Sequence, residues 1–255
     1  MSEVHNYYFD AGNTRLKLWC CLEDGSVVAE ACILHEGQFS EALTGLSKEF
    51  NAKPKAILGA SVLSLEQNAS FTQACDEKWS LLPCFARTQK EQFGIVNAYG
   101  DAYERLGVDR WLVMIGCAQK TAKKGKGVCV VDCGTAITAD ILSPDGVHEG
   151  GYIVPGLTMM RESVVKHTAR VKYVPLRSID LSPGKNTAEA VEHGAMLAVV
   201  GLVERLASSH DASLVLTGGD ASELSQVLQC RHRVEPYLLL IGLQRYFLDT
   251  GINGQ

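Results

Sequence analysis

Two stretches decide the fold: Tyr7-Tyr8-Phe9-Asp10-Ala11-Gly12-Asn13-Thr14-Arg15-Leu16-Lys17 and Val130-Val131-Asp132-Cys133-Gly134-Thr135-Ala136-Ile137-Thr138. Each is an apolar run that ends in Asp-x-Gly and then continues as an alternating run. Asp10 and Gly12 recur 122 positions later as Asp132 and Gly134. The turns that follow, Asp24-Gly25 and Asp145-Gly146, are 121 positions apart. Asp-Gly between alternating runs is a strong hairpin signal. A third strand-like run follows each turn, over 26–33 and 147–154. The chain therefore reads as two copies of a β-meander, each opened by Asp-x-Gly.

Beyond each meander, helices and strands alternate. In the first half the periodicity predicts a helix over 38–50, a strand over 55–60, a helix over 66–78 and a short strand over 82–85. Two helical stretches then cover 101–121. In the second half it predicts a helix over 157–168 and a long one over 187–207, with Asn186 or Thr187 as cap. A strand over 213–216, a helix over 221–228 and a last amphipathic helix over 237–248 follow. Three antiparallel strands followed by alternating helices and strands make an α/β chain, with a mixed sheet flanked by helices, built twice. The boundary falls near 116–127, dividing the chain into 1–117 and 118–255. The basic stretch 121–127 reads as a solvated turn.

The composition is that of a folded protein: of 255 residues, 46% are apolar and 21% charged, which excludes a disordered or fibrous chain. A net charge of −5 argues against nucleic acid as partner. No secretory signal is visible and no apolar run approaches the ~20 residues of a membrane helix, so no membrane is expected and the chain reads as cytoplasmic. Nine cysteines without a Cys-x-x-Cys pair read as free thiols, mostly buried, and a structural zinc is not expected.

The Asp-x-Gly loops have a chemical use. Gly12 lets a ligand approach the backbone, and the amides of a tight turn form a concavity for phosphate oxygens. Asn13 and Thr14 add donors, and Lys17 adds a point charge. Asp10 suits a magnesium ion, directly or through water. The same residues also suit a plain hairpin with a polar turn. The second copy strengthens the phosphate reading, because two facing loops clamp a phosphate chain from both sides. Thr135 and Thr138 are then hydroxyl donors, and Asp132 is a second cation candidate. Thr217-Gly218-Gly219-Asp220 is a further glycine turn, suited to packing or to a ribose or base. No Gly-x-Gly-x-x-Gly and no Walker A sequence is present. Gly107-Val108-Asp109-Arg110 lies between the two helical stretches. Asp109 there suits a proton acceptor or a helix cap, and Arg110 suits a bidentate partner for a carboxylate. The glycines of 150–156 suit ligand approach or simple crowding.

Together these motifs, with Gly94-Ile95-Val96-Asn97-Ala98-Tyr99 and Gly184-Lys185-Asn186-Thr187, resemble the type III pantothenate kinases of the acetate and sugar kinase/actin superfamily. The resemblance covers nearly the whole chain. It implies two RNase H-like (actin-like ATPase) domains with a cleft between them. It implies ATP-dependent phosphorylation of the 4′-hydroxyl of pantothenate, the first step toward coenzyme A. By resemblance, Asp10, Ala11, Gly12, Asn13, Thr14, Arg15, Leu16, Lys17 and Thr135 bind ATP, which comes with magnesium. Asp109 accepts the proton, and Tyr99, Gly107, Val108, Asp109, Arg110 and Thr187 hold pantothenate. Asp132 binds the monovalent cation, potassium or ammonium. The resemblance also implies a homodimer in which Thr187 reaches the partner's substrate site. Where the family often has Pro, this chain has Ala98. The competing readings are a non-catalytic transcriptional accessory protein on the same fold, or a phosphatase or kinase acting on a sugar or another small hydroxy acid. The joint presence of Asp10, Asp109, Arg110 and Asp132 favours the kinase.

Overall fold

The computed structural model describes residues 5–121, 126–166, 180–209 and 212–249. The first sheet begins with β1 (His5–Ala11), β2 (Arg15–Leu22) and β3 (Val27–Leu34), an antiparallel meander. Tyr7, Phe9, Leu16 and Leu18 share one face and join the core with Phe39 and Phe71, while Tyr8, Trp19 and Cys21 on the other face are buried as well. A short helix α1 (Phe39–Thr44) follows, then β4 (Ala56–Ser61), which pairs in parallel with the free side of β1. Gly59 carries no side chain where a Cβ would meet the Phe9 backbone and ring. Helix α2 (Leu65–Trp79) starts at a capping box between Ser64 and Gln67, and β5 (Cys84–Phe85) completes the sheet. The strand order is β3-β2-β1-β4-β5. Phe9 and Phe39 meet Phe71 of α2 at ring separations of 4.9 and 5.4 Å.

The helix expected over 38–50 is shorter. It ends at Thr44 before Gly45, and a 3₁₀ turn, Lys48–Phe50, returns Phe50 to the core, where its carbonyl accepts the Trp79 indole N–H at 2.8 Å. A small hairpin, β6 (Glu91–Gln92) and β7 (Ile95–Val96), turns through Phe93 and Gly94 at φ 54° and 77°. A 3₁₀ segment, Gly100–Arg105, leads into α3 (Val108–Thr121).

The second sheet repeats the first. β8 (Gly127–Cys133), β9 (Ala136–Leu142) and β10 (His148–Pro155) form the meander, followed by α4 (Leu157–Lys166) and the long α5 (Thr187–Ser209). Then come β11 (Ala212–Thr217), parallel to β8, α6 (Ala221–Ser225) and the three-residue β12 (His232–Val234). The order, β10-β9-β8-β11-β12, is that of the first sheet. Its core holds Val131, Ile137, Met196, Val199, Val203, Leu214 and Leu216. The last two residues of the helix expected over 157–168, and most of the basic turn expected over 121–127, lie outside the described residues. The chain ends with α7 (Leu238–Asp249). All nine cysteines are free thiols.

The chain divides into two compact units: Met1–Lys90 with Asp101–Gly116 and Leu239–Gln255, and Glu91–Gly100 with Cys117–Leu238. Relative to a division at 117/118, two segments change sides, each for a local reason. In the second unit the β6–β7 hairpin sits on the β9–β10 turn: the Val96 N–H donates to the Gly146 carbonyl at 3.1 Å, and Gly146 has no room for a Cβ against Gly94. In the first unit Gly242 lets α7 cross the Leu112 backbone of α3. Tyr246 accepts the Arg87 N–H at 3.2 Å, and Gln244 donates to the Gly25 carbonyl at 2.8 Å.

Candidate active site

In the first unit, β1 and β2 are joined by a turn closed by the Gly12 N–H on the Arg15 carbonyl at 3.0 Å. Ala11 and Leu16 are buried and anchor the turn, while Asn13, Thr14 and Arg15 are exposed at its tip. Asp10 and Lys17 face each other in register, with Nζ 3.8 Å from Oδ2. From the far end of the meander, buried His35 reaches this turn: its Nε2 is 2.8 Å from the Gly12 carbonyl oxygen. Its Nδ1 accepts the Gly37 N–H at 3.0 Å. A backbone amide only donates, so the ring hydrogen sits on Nε2 and is given to Gly12. The ring stacks on Phe39 with centroids 4.4 Å apart. Nothing in the sequence pointed to His35, because its partner lies 23 residues away across two strands.

The Gly107 to Arg110 motif opens α3. Asp109 is not the cap; it stands in the first helical turn, and its Oδ1 accepts the Arg110 N–H at 2.8 Å. Gly107 holds the position before the helix, where a Cβ would lie 2.5 Å from that same Oδ1. A carboxylate in the first turn is favoured by the helix dipole. The Arg110 residue is buried beside it.

In the second unit the loop after β8 is one residue shorter: the Gly134 N–H donates to the Ala136 carbonyl at 3.1 Å, and Asp132 pairs in register with Thr138. Asp132 thus occupies in this sheet the place of Asp10 in the other, one residue before the strand ends. Two glycine turns press on the loop. The Gly156 N–H donates to the Thr135 carbonyl at 3.0 Å, and a Cβ at Gly156 would strike the Gly134 and Thr135 carbonyls. Gly218, at φ 91°, lies against the Asp132 carboxylate and the Cys133 carbonyl, which also accepts the Asp220 N–H at 3.0 Å. Three motifs far apart in sequence therefore converge, and crowding accounts for two of their glycines. Burial first, then the Asp132 and Asp220 carboxylates, push the Cys133 thiol up to about 12, so it stays protonated. Thr135 is exposed.

Tyr99 and Thr187 also belong to the second unit. The Tyr99 N–H donates to Asn97 Oδ1 at 3.0 Å, and its ring stacks on His148 with centroids 6.3 Å apart. Thr187 is exposed at the start of α5. The cap is Asn186, whose Oδ1 accepts the Glu189 N–H at 3.0 Å, while Glu189 accepts the Lys185 N–H at 2.7 Å. Among the described residues, no group of three or more His, Cys, Asp or Glu side chains gathers as a metal cluster. Near this turn lie the Asp132 carboxylate and the Cys133 carbonyl, with the Asp220 carboxylate close enough to act on the Cys133 thiol, and such oxygens suit a hard cation.

Residues 7–209 match the family model for type III pantothenate kinase. The chain belongs to that family. The match runs from β1 to the end of α5 and includes both Asp-x-Gly loops and the Gly107 to Arg110 motif. A type III pantothenate kinase from Acinetobacter baylyi is 35% identical over 240 residues, covering 94% of this chain and 96% of the relative. One from Pseudomonas fluorescens is 37% identical over 249 residues, covering 92% and 95%. Among solved structures, one described as a conserved Baf family transcriptional activator from Campylobacter jejuni aligns at TM-score 0.61 and 18% identity, covering 96% of this chain and 98% of the other. An activator of 2-hydroxyisocaproyl-CoA dehydratase from Clostridium difficile aligns at 0.54 and 13%, covering 97% and 95%. Both structures share the fold; at that identity they say nothing about activity. The type III pantothenate kinase relatives, not the activators, are the ones related closely in sequence, so the transcriptional reading is not favoured. Among the described residues no helix is long and apolar enough to cross a membrane.

Proposed function

We propose that this protein transfers the γ-phosphoryl group of ATP to the 4′-hydroxyl of pantothenate, the first step of coenzyme A synthesis, in the cytoplasm. The observation that carries the reading is membership of the type III pantothenate kinase family, at 35–37% identity over more than nine-tenths of the chain.

Phosphoryl transfer asks a protein for positioning and charge neutralisation more than for covalent chemistry. In this reading residues 10–17 and Thr135 cradle the phosphates through turn amides and hydroxyls, with Lys17 as a point charge. Asp109 takes the proton of the attacking hydroxyl; its Oδ1 is held by the Arg110 amide, which orients the carboxylate before substrate arrives. Arg110 pairs with the pantothenate carboxylate, and Tyr99, Gly107 and Val108 are the other residues of this chain assigned to it. Thr187 acts on the substrate of the partner in a homodimer, and its exposed position is compatible with that role.

Two ions belong to the reading. Magnesium would sit on ATP oxygens near Asp10, and potassium or ammonium near Asp132. The Asp10 carboxylate suits the first, and the Asp132 carboxylate with the Cys133 carbonyl suits the second, since hard cations take oxygen ligands. Magnesium supplies charge neutralisation to the phosphates when bound; the monovalent ion supplies local positive charge beside the second loop.

The test is ADP release from ATP and magnesium, with and without pantothenate, in potassium and then in sodium. Release that needs pantothenate and is larger in potassium is the expected result. Pantothenate-independent behaviour in every salt, from folded protein that still binds ATP, would remove the assignment and favour another substrate.

A further inference from the structure

The second unit buries a carboxylate and an imidazole for which the chemistry above has no use. Asp140 on β9 and His148 at the start of β10 are 2% and 1% exposed, and Oδ1 of the first lies 2.9 Å from Nε2 of the second. Burying such a pair sacrifices hydration that the contact seldom repays, so it is weak evidence of a device for stability. What the pair touches is more informative. The other ring nitrogen, Nδ1, accepts the N–H of Ala98 at 3.5 Å. That amide only donates, so the hydrogen of the ring sits on Nε2 and is directed at Asp140. The carboxylate thereby sets both tautomer and ring orientation, in the way an outer carboxylate orients a working histidine. The face of the same ring stacks on Tyr99 at an interplanar angle of 17°.

The segment held in this way is tied down at its other points as well. The Tyr99 N–H is taken by Asn97 Oδ1, and Asn97 is 3% exposed. One step earlier, Val96 bonds to Gly146 and bridges in parallel to Val147, the residue next to His148. The close approach of Gly94 and Gly146 makes that docking tight. Residues 94–99 are thus fastened to the β9–β10 turn, and Tyr99, 39% exposed, projects at the end of the fastened stretch.

We propose that Asp140 and His148 form a positioning pair for the acceptor substrate: Asp140 orients the imidazole, and the imidazole fixes the Ala98 amide and the Tyr99 ring. The inference rests on the reading that Tyr99 contacts pantothenate. Neither residue touches the reacting atoms, so the pair governs substrate affinity and leaves the nucleotide steps alone.

The test compares steady-state kinetics of the wild type with His148→Gln and Asp140→Asn. In His148→Gln the amide still reaches Asp140 but gives up the acceptor at Ala98 and the stack on Tyr99. The expected result is a KM for pantothenate raised roughly ten- to hundredfold, the scale of a displaced positioning group, with KM for ATP within about twofold of wild type. Adding Tyr99→Ala to His148→Gln should raise that KM little further, since both act through one contact. A folded His148→Gln protein with unchanged pantothenate KM, or with both KM values raised equally, would overturn the pair's role. A second measurement needs no variant: ring nitrogen resonances of His148 in the wild type should shift on adding pantothenate, while those of His35 stay in place. An active wild type without that shift overturns this inference alone. A wild type that never turns over pantothenate overturns the parent assignment, and this inference with it.

Discussion

Two single positions carry sharp tests: Asp109, the proposed base, and Gly218, a crowded turn. Asp109→Asn keeps an oxygen for the Arg110 amide, so the helix start survives while the base is lost. Turnover should fall roughly 10²- to 10⁴-fold, with an unchanged thermal midpoint; near-normal turnover would remove the base assignment. Gly218→Ala asks a Cβ to share space with the Asp132 carboxylate and the Cys133 carbonyl, on a backbone at φ 91°. Its cost should be about 1–3 kcal/mol, read as a melting midpoint lowered by several degrees. Both positions stand out in the sequence because glycine and aspartate in a short motif have few uses. His35 and His148 do not, since their partners come from neighbouring strands and neither sits in a motif. The cap reading of Asp109 failed for a local reason: its carboxylate bonds to the next amide, and Gly107 takes the place before the helix.

At the scale of elements, both meanders are legible to within a residue or two, because the inner strands, buried on both faces, write themselves as apolar runs and the Asp-Gly turns bound them. The β6–β7 hairpin was missed: the first left-handed position of its turn is Phe93, where Asn or Asp would have announced it. β12 is three residues long, too short to carry a period. The helix expected over 38–50 stops at Thr44 because the backbone changes to a 3₁₀ turn beyond Gly45, although apolar spacing continues. The end of β3 has a testable task, since His35 just beyond it holds the Gly12 turn, the loop proposed to bind phosphate. His35→Phe keeps a ring over Phe39 and removes both nitrogen contacts. The KM for ATP should rise several-fold, with KM for pantothenate unchanged; an unchanged ATP value would mean that the loop keeps its shape without the histidine.

The whole molecule is one plan used twice, with the same strand order and the same placing of Asp10 and Asp132. That duplication was visible in sequence as an echo at a fixed offset. The membership of α7 was not, because amphipathic spacing reveals that a helix has a core to join and not which core. Both sheets also bury thiols. Burial holds Cys21, Cys75, Cys129 and Cys133 up to about 12, from an ordinary value of 9.0. A raised folded value means that the folded state retains these protons more firmly. The associated stability is therefore fully present below pH 9 and lost as pH rises toward 12. The urea midpoint should be level between about pH 7 and 8.5 and decline above about 9; a midpoint unmoved at pH 10.5 would contradict it. The central claim is the reaction itself, and product identity tests it most directly. With ATP, magnesium, potassium and pantothenate, mass spectrometry should find 4′-phosphopantothenate formed in step with ADP by the wild type, and almost none from Asp109→Asn. ADP formed without any phosphorylated pantothenate, or product formed equally well by Asp109→Asn, would contradict the account.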